Sequence, residues 1–117
     1  MSWSLAKVDL ESDWGLHHFG TDHFWEVMPQ MKQLDGRTIH ELLESAQLKD
    51  IPTEHLKFGP AQRLQEMELD DTDTLWEVRL SNKRRIWGQV SRATFSIIWW
   101  DPDESVCNPP PKGQRRR

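Results

Sequence analysis

The feature that most constrains this chain is residues 75–101, where three extended patterns follow one another with almost nothing between them. In residues 75–80, Trp76, Val78 and Leu80 alternate with Glu77 and Arg79. In residues 84–90, Ile86, Gly88 and Val90 alternate with Arg85, Trp87 and Gln89. Side chains on a strand point alternately to opposite faces, so both segments read as strands with one more apolar face. Residues 94–100 are apolar nearly throughout and rich in β-branched and aromatic side chains. They read as a central strand covered on both sides, with Trp99 and Trp100 building the core on either face. The connections Ser81-Asn82-Lys83 and Ser91-Arg92-Ala93 are short, so neighbouring strands must run antiparallel. Asp101-Pro102-Asp103 ends the last strand, because proline cannot donate to a ladder.

The first half reads differently. Residues 2–10 alternate loosely and suit a short strand or an ordered arm. Ser12-Asp13-Trp14-Gly15 reads as a turn. Thr21 or Asp22 can cap a helical segment carrying Phe24, Trp25 and Val27, in which Pro29 either causes a kink or opens a new turn that ends at Gly36. Thr38 and Glu41 stand at capping-box spacing, and Ile39, Leu42, Leu43 and Ala46 then share one face, which predicts a helix over residues 39–48. Ile51-Pro52-Thr53 breaks it, and a further helix runs from Pro60 to about Met67 with Ala61, Leu64 and Met67 on its apolar side. The predicted class is α+β, with N-terminal helices packed on a C-terminal antiparallel β-meander.

A chain of 117 residues with 36% hydrophobic content can bury one core, and residues 1–107 are expected to form a single domain. Residues 108–117, rich in Pro and Arg, read as a loosely held tail. The single cysteine, Cys107, allows no intrachain disulfide and is expected to be an inert thiol. The opening residues have neither a basic nor an apolar signal region, and no run is long enough to span a bilayer. A cytoplasmic location and no membrane partner are therefore expected.

Charge divides the chain. Residues 1–75 carry 15 acidic against 6 basic side chains, and residues 76–117 carry 4 against 9. A basic half can face an anionic partner, or it can neutralise the acidic half within the fold. Arg79 and Arg85 lie on strands joined by a tight turn, each on the less apolar face, with Trp87 beside them. Two guanidiniums and an indole on an exposed sheet face can hold phosphates and stack a base. The alternative is a sheet face of Arg–Glu cross-strand pairs, for which Glu77 is a ready partner.

Other candidates are weaker in pattern. His17, His18 and His23 lie close in sequence, but their spacing is not that of a zinc site, and neither a metal nor another cofactor is expected. His17 or His18 could serve as a general base. Asp101, Asp103 and Glu104 end the last strand, where acids commonly act on a proton or a metal, and where Asp-Pro also commonly starts a turn. Exposure of Trp3, Trp14 or Trp25 would indicate a partner interface.

Helices followed by a meander containing Glu77-Val78-Arg79 and Arg85-Ile86-Trp87 resemble the RelE/ParE toxin superfamily over residues 76–101. That resemblance implies helices set before a twisted antiparallel sheet, and toxins neutralised by a cognate antitoxin protein. Some members are mRNA endoribonucleases that act on the ribosome. By resemblance, Arg79, Arg85 and Asp101 would carry catalysis, with Lys83, Arg84, Trp87 and Arg92 contacting RNA. A second expectation is a non-enzymatic protein-interaction module on an inactive fold of that type. A third is a phosphate-ligand enzyme using the acidic strand end with a metal.

Overall fold

The meander forms as its alternation demands, and it lies at the centre of a larger sheet. The computed structural model of the chain describes residues 1–107. In order the elements are β1 (Ser2–Ser4), α1 (Thr21–Leu34), α2 (Ile39–Glu44), β2 (Leu48–Pro52), α3 (Phe58–Glu66), β3 (Thr74–Arg79), β4 (Arg85–Ser91) and β5 (Thr94–Asp101). Single 3₁₀ turns occupy Leu16–His18 and Thr53–His55. The sheet order is β1-β5-β4-β3-β2. β1 runs parallel to β5, and the other pairs are antiparallel. The fold is therefore α+β, as the pattern predicts. The tail expected at residues 108–117 lies outside the described residues.

Both faces of the sheet are covered. On one, α1 and α2 supply Val27, Leu34 and Leu42 against Val78, Ile86, Phe95, Ile97 and Trp100. On the other, α3 supplies Leu64 against Leu75, Trp87, Ile98 and Trp99, with Val106 and Cys107 beside them. Trp99 and Trp100 thus face opposite ways, as expected. The register shifts between Trp87 and Gly88: Trp87 opposes Trp99 and Gly88 opposes Ile97. Ile98 is the extra residue of a β-bulge, which sends Ile98 and Trp99 together toward α3. This explains why β5 is apolar without alternation.

Two local expectations are corrected. The helix predicted over 39–48 ends at Glu44, although its capping box forms, with Thr38 and Glu41 exchanging two 3.1 Å hydrogen bonds. Ala46 then takes a left-handed φ of 61°, and β2 follows where no strand was predicted, pairing Leu48 with Val78 and Ile51 with Leu75. Burial of Leu48 and Ile51 on opposite faces outweighs the helical pattern. The second concerns Pro29: of its two alternatives the new turn does not form, since α1 continues from Thr21 to Leu34 through Pro29. It removes only the donor that would reach the Trp25 carbonyl, on a side of α1 where Trp25 and Pro29 are both exposed.

Gly88 is required by the bulge. A Cβ there would lie 2.1 Å from the Ser96 carbonyl oxygen and 2.7 Å from the Phe95 ring. Gly88→Ala is expected to lower the free energy of unfolding by about 1–3 kcal/mol in urea titration, the usual penalty for overpacking a filled interior.

Candidate functional site

Arg79 and Arg85 oppose each other in register across β3 and β4, so they do share a face. That face is not open to solvent. Trp87 is 1% exposed and Arg85 8%, because α3 and residues 101–107 cover them. The fully buried Glu77 lies between the two guanidiniums. Arg79 Nε donates to Glu77 Oε1 at 3.0 Å, and Arg85 Nε stands 3.8 Å from Glu77 Oε2. Arg85 also donates to Glu104 Oε1 at 2.6 Å and to the carbonyls of Asn82 and Arg84. A buried carboxylate needs such partners, since an unpaired charge in an apolar interior costs several kcal/mol. The expected solvent-facing arginine pair is thus part of a buried ionic network with Glu77 and Glu104.

The remaining candidates are drawn apart. Trp87 offers no ring to a base and donates its Nε1 to Asp101 Oδ2 at 3.2 Å. Asp101 is fully buried and accepts from the Ser105 amide, the Ser105 hydroxyl and the Val106 amide. It fastens residues 101–107 to the sheet, and its lone pairs are engaged in doing so. Arg84 turns to the other face and pairs with Glu26 of α1 at 2.6 Å. Lys83 and Arg92 are exposed in the turns at opposite ends of β4. Among the described residues, no three His, Cys, Asp or Glu side chains group so as to hold a metal. No helix among them is long and apolar enough to cross a membrane.

Asp9 was not singled out in the sequence, yet it gathers more polar contacts than any predicted site residue. It is 1% exposed, and its amide donates to the Ile98 carbonyl at the bulge. Its carboxylate accepts two hydrogen bonds from Arg63 of α3 at 3.0 Å, and others from Trp99 Nε1, Ser12 and the Glu11 amide. Burial alone pushes the Asp9 carboxyl up. The hydrogen bonds from Arg63, Ser12, Glu11 and Trp99 outweigh that and hold it well below the usual carboxylate range. The same contact with Asp9, with help from Glu66 and Glu11, raises Arg63.

Two clefts carry exposed chemistry. One, about 420 Å³, lies at the end of β5 and brings His18 and His23 beside Asp13, Asp103 and Trp100. Within it the His23 and Trp100 rings are 5.1 Å apart, and the buried His23 Nδ1 and Trp100 Nε1 have no hydrogen-bond partner among the described residues. The imidazoles could exchange protons there, although the sequence placed only His17 and His18 in that role. The other, about 750 Å³, opens between α1 and β1 over the sheet. Trp3, Leu16, Phe19, Met28, Met31 and Trp100 line it, and Leu5 and Phe24 stand at its edge, 60% and 43% exposed. No local pattern in the sequence marks it, because its lining comes from separate elements.

Arg79→Ala is expected to destabilise the fold by about 3 kcal/mol, because it strips Glu77 of its nearest cation. Chemical denaturation measures this. For Asp9, a depressed folded pKa means stability that is full above the unfolded carboxylate value and is lost as pH falls below it. Stability should decline as pH drops below about 4. Asp9→Asn should remove that component of the decline and destabilise the fold at neutral pH, because Arg63 loses its buried carboxylate and keeps only the exposed Glu11 and Glu66. Denaturant midpoints at a series of pH values test both statements.

No family model, curated protein or solved structure matches this chain.

Proposed function

We propose that this chain is a non-enzymatic protein-binding module on a RelE/ParE-like fold, and that it receives an amphipathic helix in the cleft between α1 and β1. The observation that carries the reading is the cleft itself. It is lined mostly by apolar side chains from α1, β1 and the sheet, with Lys32 and Asp35 the charged residues of its lining. Apolar patches of this kind on a folded domain mark interaction sites. A helix binds such a surface through residues at i, i+4 and i+7. The Met28 and Met31 side chains suit this role, since thioethers adapt to irregular partners.

The RNA reading has less support. Its two guanidiniums are held by Glu77 and Glu104, and its stacking indole is buried. Phosphate recognition needs donors that an anion can reach.

Selection of helical peptides from a displayed library against the full chain tests the proposal. Binders with apolar residues at i, i+4 and i+7 are expected, with binding lost in Leu5→Asp and retained in Arg85→Lys. Absence of any such binder overturns it. So does cleavage of mRNA in a ribosome-containing extract that Arg79→Lys abolishes, which would establish the nuclease reading instead.

A further inference from the structure

A second surface lies on the outward side of α1, and it has its own pattern. At 100° per residue, Asp22, Trp25, Pro29 and Lys32 form one stripe with spacings of three, four and three. All four side chains are exposed, and Trp25 is 78% exposed, one of the two most exposed large hydrophobic residues described. Its indole is set by an edge-on contact with Phe24, with ring centroids 5.2 Å apart, rather than left free on the surface. Tryptophan is enriched among the residues that carry binding energy at interfaces.

The stripe reads as complementary to itself. Asp22 and Lys32 stand at its two ends, about 15 Å apart along the helix axis. Neither makes an ion pair among the described residues. Laid antiparallel on a second copy about a two-fold axis near Val27, Asp22 of each copy meets Lys32 of the other, and each Trp25 meets the other copy's Pro29. A stripe running from anion to aromatic to proline to cation closes in this way with no charge left over. A two-fold contact requires this property, that one patch complements itself.

We propose that α1 pairs antiparallel with α1 of a second copy, through Asp22–Lys32 ion pairs flanking two Trp25–Pro29 contacts. The area available on one helix is small, near the lower limit of about 1,000 Å² for a specific interface. The dimer is therefore a concentration-dependent one. It goes beyond the helix-binding reading: Lys32 also lines the cleft, so the two surfaces meet there, while Asp22, Trp25 and Pro29 lie outside it.

Analytical ultracentrifugation of the full chain over a concentration series tests the pairing, with circular dichroism to verify folding. Trp25→Ala should weaken self-association, and Asp22→Lys or Lys32→Asp should each weaken it about tenfold or more, as two attractive pairs become repulsive. An equimolar mixture of the Asp22→Lys and Lys32→Asp chains should regain it, and so should the double variant carrying both changes. Two exposed positions on one helix have no other reason to rescue each other. Monomeric wild-type protein up to hundreds of micromolar overturns the proposal. A dimer that survives both single reversals overturns it too, as does failure of the mixture to recover. Loss of peptide binding by Leu5→Asp with the dimer intact would separate the two surfaces.

Discussion

The structure depends on one buried carboxylate more than on any other polar group. Asp9 joins three parts of the chain that share no sequence neighbourhood: the arm after β1, the helix α3 through Arg63, and the central strand through Trp99. Its amide also takes the Ile98 carbonyl that the bulge presents. The arm and α3 are thereby fixed against the same face of β5. An ion pair this enclosed is weak evidence of net stabilisation, since desolvation offsets most of its Coulomb attraction. Its directional hydrogen bonds tie those surfaces to one another.

The same logic governs the opposite end of that face. Glu77 sits among Arg79 and Arg85, and Asp101 gathers the amides of Ser105 and Val106 together with the Trp87 indole. Three buried acids and their donors bind residues 101–107 and α3 onto one side of the sheet. Functional potential is thereby moved elsewhere. On that face the guanidiniums of Arg79 and Arg85 are engaged by buried or half-buried carboxylates, while α1 and the cleft beside it expose apolar surface, and Asp22 and Lys32 make no ion pair among the described residues.

The candidate site was legible only in part. Exposure of Trp25 was named as the mark of an interface, and Trp25 is exposed. The cleft was not legible, because it needs Trp3, the Met28 and Met31 pair, and Trp100 brought together from three places in the chain. Nor was the hub at Asp9, since a lone aspartate in an irregular arm carries no pattern. Arg79 and Arg85 were placed correctly with respect to each other, and the cross-strand pairing with Glu77 was foreseen as the alternative. What alternation could not supply was the cover over that face, which comes from α3 and from residues 101–107.

Elements with local signals can be read from the residue order alone. Alternation set β3 and β4, short connections set their antiparallel course, and hydrogen bonds between Thr38 and Glu41 set the start of α2. Period and capping act over a few residues, so they can be read without knowing the fold. Tertiary structure decided the rest. It ended α2 early and drew β2 onto the sheet, it placed β1 parallel beside β5, and it turned an apparently open arginine face into a buried ionic network. Those outcomes rest on contacts between residues tens of positions apart, and burial of a charge depends on what lies above it in space.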